Sequence, residues 1–211
     1  DAFFTRNAKD AQLAVDHGVA AAAINFPEGA TYTRKEGAPV RLWLDGDAVT
    51  FGSSAELGYR KGNLEQYRIN EFNRVAQPIE EGPFTKLLVK IREKKKKFPK
   101  GEQPFELSLL TARGDVASAR VMTTLENLGI EFNGDLYFVS GASKNDVLKA
   151  KLPDLFLDDQ QVHLEKPALY CPTGHVPYKT GSDIFEYLKE QAAKAKDTDK
   201  KDPPPGPTGS K

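Results

Sequence analysis

The sequence is poor in cysteine, in net charge and in long apolar runs. Cys171 is the single cysteine, so an internal disulfide framework and a multi-cysteine zinc site are excluded. The 30 basic and 30 acidic residues cancel, which argues against a protein that binds nucleic acid or a membrane surface. No apolar run has the length of a membrane span, and the first residues do not resemble a signal peptide. We therefore expect a soluble, cytoplasmic protein whose partner is a small molecule.

What the sequence does contain is an alternation of short apolar runs with longer stretches of helical spacing. This alternation predicts an α/β, Rossmann-like fold in which helices cover both faces of a parallel sheet. The 211 residues, 39% of them hydrophobic, are enough for one main domain. The predicted strands are 2–5, 19–24, 40–44, 105–111, 136–139, 155–157 and a short one near 175–176. The predicted helices include 8–16, 84–97, 116–128 and 183–195.

Three segments depart from this alternation. Residues 53–82 directly follow a strand, and their polar, helix-forming sequence predicts a small helical cap inserted into a main domain of residues 39–195. Residues 196–211 are charged and then rich in proline and glycine, so we expect a disordered tail. Residues 1–38 begin inside a predicted strand without an initiator methionine. We interpret them as the tail of a degenerate first repeat in an N-terminally truncated chain.

Candidate functional side chains share one position, the carboxyl end of a predicted strand or the loop just after it. In chain order they are Asp45, Asp47, Thr111, Lys144, Asp158 and Asp159. In open α/β sheets, ligands bind at the edge where the carboxyl ends of the strands lie. The sequence therefore predicts that these side chains reach one common edge.

Four of these side chains are carboxylates, arranged in two pairs. Asp45 and Asp47 can divide labour, one attacking or holding a metal while the other transfers a proton, and Gly46 permits a sharp turn. Asp158 and Asp159 offer hard oxygen ligands that suit magnesium. Either pair taken alone is also compatible with a solvated turn at the end of a strand.

Thr111, Arg113 and Lys144 supply groups that can bind an anion. The Thr111 hydroxyl precedes a predicted helix, where backbone amides can also hold a phosphate oxygen. The Lys144 ammonium can neutralise such an oxygen. Arg113 follows closely enough to reach phosphate or to pair with a neighbouring carboxylate. The alternatives are a capping role for Thr111 and a surface position for Lys144.

The order of the motifs decides among these alternatives. Asp-x-Asp, then Thr, then Lys, then Asp-Asp, each after a separate strand, is the four-motif order of the haloacid dehalogenase-like phosphatases. A response-regulator receiver uses similar groups, but its acidic pair comes first, so that interpretation fails. The chain thus resembles the haloacid dehalogenase-like class.

Several longer sequence segments, spread over about residues 1–178, are similar to those of the cytosolic 5'-nucleotidase type I family. The resemblance is carried by Asp45-Gly46-Asp47-Ala48-Val49, Thr111-Ala112-Arg113, Phe156-Leu157-Asp158-Asp159-Gln160 with His163, and Gly174-His175-Val176-Pro177-Tyr178. This resemblance implies a magnesium-dependent enzyme that hydrolyses nucleoside 5'-monophosphates to nucleoside and phosphate through an aspartyl-phosphate.

The resemblance also implies roles for individual residues. Asp45 is the expected nucleophile and Asp47 the general acid and base, while Thr111 and Lys144 hold the phosphoryl oxygens. The expected ligands of Mg²⁺ are Asp45, the backbone carbonyl of Asp47, Asp158 and Asp159. The expected substrate contacts are Thr111, Arg113, Lys144, Glu71 and His163.

The chain departs from the family near the predicted cap, where Ser53 and Ser54 replace acidic residues and Asn70 replaces a histidine. Substrate preference is therefore open. The alternatives are a haloacid dehalogenase-like phosphatase for another phosphomonoester, or an inactive nucleotide-binding or interaction protein. We expect neither a nucleic-acid nor a membrane partner and interpret the lysines at 94–97 as the solvated end of a helix. Assembly into a homo-oligomer is left open.

Overall fold

The computed structural model describes residues 2–99, 101–114 and 116–201, with side chains described as far as residue 196. Its strands are β1 (Ala2–Thr5), β2 (Ala20–Asn25), β3 (Val40–Leu44), β4 (Phe105–Thr111), β5 (Leu136–Phe138), β6 (Leu155–Asp158) and β7 (Thr173–His175). Its α-helices are α1 (Ala8–Asp16), α2 (Ser54–Lys61), α3 (Leu64–Asn73), α4 (Thr85–Lys95), α5 (Val116–Leu128), α6 (Lys144–Lys151) and α7 (Asp183–Lys201). Within this described part, no helix combines the length and the apolar character needed to cross a membrane.

All seven strands form one sheet, in the order β1-β2-β7-β6-β3-β4-β5. Strand β3 lies near its centre, paired in parallel with β4 on one side and β6 on the other. Because β3, β4, β5 and β6 all run in the same direction, their carboxyl ends meet at one edge. The predicted α/β class is confirmed.

One strand pairing departs from the predicted parallel sheet. Strand β2 pairs antiparallel with β7, so β1 and β2 run opposite to the other five strands. This reversal brings the end of β2 to the edge of the sheet at which β3 begins. Residues 26–39 therefore connect the two strands along that edge, and no crossover over the face of the sheet is needed.

Helices cover both faces of the sheet, and strand β3 explains why. Side chains alternate between the two faces of a strand, so Leu42 and Leu44 point to one face and Trp43 to the other. Leu42 and Leu44 belong to the larger hydrophobic cluster, which includes Leu88 of α4. Trp43 belongs to a second cluster with Leu148 of α6. Two buried faces account for the near-continuous apolar sequence of this strand.

The predicted cap region contains helices α2 and α3, which leave the sheet just after β3. The chain returns at a short antiparallel bridge between Phe51 and Glu81. At the other end of the chain, α7 continues to Lys201, although disorder was predicted from residue 196. From residue 196 onward, no proline interrupts the chain before residue 203, so the helix can continue through this stretch. The rest of the predicted tail, residues 202–211, lies outside the described residues.

Candidate active site

Asp45 and Asp47 are positioned by a tight turn at the end of β3. Asp45 is 4% exposed, and its carboxylate accepts a hydrogen bond from the backbone N–H of Gly46 at 2.6 Å. A side chain at Gly46 would lie 2.9 Å from the Thr111 hydroxyl oxygen and 2.9 Å from the Phe51 ring. Glycine therefore allows the ends of β3 and β4 to approach closely, and this brings Thr111 beside the two carboxylates.

Three buried carboxylates meet at this edge of the sheet, and we name Asp45, Asp158 and Asp159 the core carboxylate cluster. One oxygen from each lies within 4.8 Å of the others. One oxygen of Asp159, Oδ1, is buried without a hydrogen-bond partner among the described residues. Buried polar atoms are rarely left unpaired, and three hard oxygen donors are the ligand type that Mg²⁺ and Ca²⁺ prefer. The residues present therefore fit a divalent cation.

The electrostatics of the core carboxylate cluster also fit a divalent cation. Burial, reinforced by the charge of Asp158, raises the pKa of Asp45 to about 7. Burial together with the neighbouring Glu56 and Asp158 raises the pKa of Asp159 well above its usual range. Burial also opposes ionisation of Asp158, but Lys144 and His163 outweigh it and lower the pKa of that carboxyl. The cluster is thus short of positive charge, which a bound dication would supply.

Lys144 lies directly beside this cluster. Its Nζ is 2.8 Å from Asp45 Oδ1 and 2.7 Å from Asp158 Oδ2, and the residue is 2% exposed. Ser143 caps the N-terminus of α6 through its side chain, so the helix begins at the lysine. Burial alone would lower the pKa of Lys144, but the two carboxylates raise it, and the ammonium stays charged.

Asp47 is held differently, by Arg113 from the loop after β4. The guanidinium Nε and Nη2 donate to the two Asp47 oxygens at 2.7 and 2.8 Å. Nη1 donates to Glu71 on α3, and Glu71 also accepts a bond from Arg120 of α5 at 2.7 Å. We name Asp47, Glu71, Arg113 and Arg120 the cap-linked cluster, because Glu71 belongs to the predicted cap.

A cavity of about 410 Å³ is lined by Asp45 of the core carboxylate cluster and by Asp47 and Arg113 of the cap-linked cluster. From the sheet side it is lined by Asp45, Asp47, Thr111, Arg113 and His163, all predicted site residues. From the cap side it is lined by Tyr59, Leu64 and Tyr67, together with Glu56, Arg60 and Arg68. His163 also reaches Asp158 at 3.1 Å. Of the predicted substrate contacts, Glu71 and Lys144 are not among the described residues that line this cavity; Lys144 lies behind Asp45.

Sequence reasoning missed several residues of the site, all of which are recognisable only in three dimensions. Glu56 of α2 accepts hydrogen bonds from Tyr178, whose hydroxyl also bonds to Asp159. Tyr67 lies beneath Arg113, with the guanidinium carbon 6.0 Å from the ring centroid. Neither residue follows a strand or belongs to a local motif. In the sequence, Tyr178 is distinguished only as the last residue of a segment that resembles the family.

The central strands, with two aspartates at the end of β3, a threonine at the end of β4 and two aspartates at β6, define a haloacid dehalogenase-like domain. A family model described as 5'-nucleotidase matches residues 1–183. The chain is also 30% identical over 168 residues to human cytosolic 5'-nucleotidase 1B, a match that covers 77% of this chain and 27% of that protein. No solved structure matches the chain. The chain belongs to the 5'-nucleotidase family, and it spans about 27% of the length of the curated relative it matches.

Proposed function

We propose that this chain is the catalytic part of a magnesium-dependent 5'-nucleotidase that hydrolyses nucleoside 5'-monophosphates. The observation that carries the proposal is a cavity lined by Asp45, Asp47 and Thr111, in which Asp45 is backed by a buried lysine and by two further buried carboxylates. Residues 39–195 would form the catalytic unit, with residues 53–82 as its cap. The relative's printed name is cytosolic, and we propose the same location for this protein.

In the proposed reaction, a carboxylate oxygen of Asp45 attacks phosphorus in line with the departing nucleoside oxygen. Asp47 gives a proton to that oxygen as the bond to phosphorus breaks. In the second half of the reaction, Asp47 takes a proton from water as the water oxygen attacks the aspartyl-phosphate. The bond between phosphorus and Asp45 then breaks, and its electron pair returns to the carboxylate.

The other site residues are assigned to charge stabilisation. Asp45, Asp158, Asp159 and the backbone carbonyl of Asp47 would hold Mg²⁺, which supplies positive charge next to the phosphoryl oxygens. Lys144 is already ionised and buried beside Asp45, so it can hold a phosphoryl oxygen there without reorganisation. The Thr111 hydroxyl lines the same cavity and can donate to another oxygen.

The cavity supports a nucleotide as substrate. Its volume of about 410 Å³ lies within the range of roughly 300–1,000 Å³ typical of small-molecule sites. The cap side offers Tyr59, Leu64 and Tyr67, which are apolar or aromatic surfaces suited to a base and sugar. The opposite side carries the charged groups that suit a phosphate. His163 lines the sheet side of the cavity and is proposed as a further substrate contact.

The proposal is tested by measuring phosphate release from AMP, IMP and CMP, with Mg²⁺ and with EDTA. We expect Mg²⁺-dependent release, and we expect Asp45→Asn to lower kcat by more than about 10³-fold because it removes the nucleophile. Asp135→Asn, an exposed aspartate before β5, is the matched control and should retain full activity.

Each other outcome contradicts the proposal in a different way. Release from sugar phosphates but from no nucleotide would identify a phosphatase with another substrate. Binding of nucleotides without release from any phosphomonoester would identify a binding protein. Release that Asp45→Asn leaves intact would remove the assigned nucleophile.

A further inference from the structure

Asp47, the proposed general acid, depends on a buried arginine for its orientation. Both of its oxygens accept hydrogen bonds from one Arg113 guanidinium, at 2.7 and 2.8 Å. Such two-point contacts fix the plane of a carboxylate as well as its position. Each oxygen of a carboxylate can accept two hydrogen bonds. The Arg113 bonds occupy one lone pair on each Asp47 oxygen, so within the described residues a second lone pair is left to carry the proton, and Asp47 lines the cavity.

Arg113 is in turn held by Glu71. The Glu71 side chain is 3% exposed and accepts from Arg113 through one oxygen and from Arg120, at 2.7 Å, through the other. Arg120 is anchored by its Nε, which donates to the Gln77 carbonyl at 2.8 Å. The cap-linked cluster thus contains two cations and two carboxylates whose formal charges cancel. Removing the Glu71 charge would leave Asp47, which contacts Arg113, as the one carboxylate in this cluster against two buried guanidinium groups.

We infer that Glu71 is a positioning residue for proton transfer by Asp47, acting through Arg113. This inference rests on the proposed function and deepens it. Glu71 is on α3 of the cap, whereas Asp47 and Arg113 follow β3 and β4 of the sheet. The general acid is therefore correctly oriented only when α3 is in place over the site. The cap contributes to the chemical step as well as to the walls of the cavity.

The inference predicts a dependence on the leaving group that a purely structural role would not produce. In AMP the leaving oxygen needs a proton, because an alkoxide is nearly as basic as the hydroxide formed from water, whose pKa is about 15.7. If sulfur replaces the bridging 5'-oxygen, the leaving group is a thiolate, and thiols have a pKa of about 8.5. The sulfur analogue keeps the base, the sugar and the phosphoryl group but needs no general acid.

The experiment compares both substrates in Glu71→Gln, which is nearly isosteric but uncharged. Glu65→Gln, on the exposed face of the same helix, is the matched control. We expect Glu71→Gln to lower kcat for AMP by about 10- to 100-fold, the usual cost of losing a residue that orients a reacting group. For the sulfur analogue kcat should match that of the control, and KM should change little for either substrate. Adding Glu71→Gln to Asp47→Asn should lower kcat no further.

An equal loss on both substrates, or an additive loss in the Asp47→Asn background, would overturn the inference. If Glu71→Gln does not fold, Arg113→Lys replaces it, because lysine keeps the charge but loses the two-point contact. The same selective loss of activity on AMP is then expected, and an equal loss on both substrates would again overturn the inference. Failure of the proposed function looks different: the unmodified protein would then release phosphate from neither substrate.

Discussion

The two charged clusters that contribute residues to the cavity are held by different parts of the molecule. The core carboxylate cluster and Lys144 come from the ends of β3 and β6 and the start of α6, which the two hydrophobic clusters fix in place. The cap-linked cluster needs the inserted helix α3, because Glu71 is its central member. One cluster therefore depends on the packing of the sheet, and the other on the placement of the cap.

The clusters also differ in charge balance. Three carboxylates face one ammonium in the first, whereas two carboxylates face two guanidinium groups in the second. An added cation would therefore balance the first cluster, whereas the formal charges of the second cancel within the protein. We therefore expect the activity to depend on a metal through the core carboxylate cluster and on the position of the cap through the cap-linked cluster. Substitutions can separate the two.

Of the substitutions that separate the two clusters, Lys144→Met should have the largest effect, because it leaves the core carboxylates without their ammonium partner. We expect kcat to fall by about 10²- to 10³-fold, the cost of losing one preorganised charge. In EDTA the free energy of unfolding should fall by about 3–5 kcal/mol, because a buried ion pair is broken from one side. Denaturant titration with and without Mg²⁺ measures this, and the ion should restore part of the loss. Lys149→Met, exposed on the same helix, is the control; equal behaviour of the two variants would disprove the role of Lys144.

An intermediate effect is expected from Asp159→Asn. The amide is a weaker ligand than a carboxylate, so half-maximal activity should require about 10- to 100-fold more Mg²⁺. In EDTA the same variant should have a higher Tm than the unmodified protein, because the substitution removes repulsion from Glu56 and Asp158. Titration of activity with Mg²⁺ tests the metal requirement, and thermal unfolding in EDTA tests the change in Tm. A Tm that falls in EDTA would show that the Asp159 carboxylate stabilises the protein without a metal.

The smallest effect on activity is expected from Thr124→Val. The buried Thr124 hydroxyl accepts a hydrogen bond from the Ile79 N–H at 3.0 Å, where the chain returns from the cap. Leaving that N–H unpaired should lower the free energy of unfolding by about 1–3 kcal/mol. The relative rates on AMP and its sulfur analogue should stay unchanged, because no charge of the cap-linked cluster is removed. Thr123→Val is the neighbouring control, and a selective loss on AMP in Thr124→Val would show that any loosening of the cap disables the acid.

The parts of this molecule that could be predicted from sequence are those with a local signal. Strands β1, β3 and β4 have the predicted bounds, because a short apolar run between polar residues is typical of a buried strand. The structure brings Asp45 and Asp158 together because each directly follows such a strand at the same sheet edge. Their catalytic and metal-binding roles remain predictions.

What could not be predicted depends on contacts between distant parts of the chain. Glu71 and Arg113 are 42 positions apart, and nothing in the local pattern of α3 distinguishes this glutamate from the exposed Glu65. The sequence assigned Glu71 to substrate binding by resemblance and gave Arg120 no role. The direction of β2 could not be predicted either. The length of the segment that follows β2 does not determine whether later strands run parallel or antiparallel to β2.

That reversed strand has a consequence for the order in which the protein is built. Within the described chain, the unit β1-α1-β2 is made before the other strands, but on its inner side β2 pairs with β7, in the register Ala23 with His175. This pairing cannot form until the ribosome has made nearly all of the described chain. Closing so long a loop is slow, and the small apolar residues of β2 remain uncovered in the meantime. Among the described strands, β1 and β2 therefore precede the other five in the chain, yet β2 completes its pairing only after β7 is made.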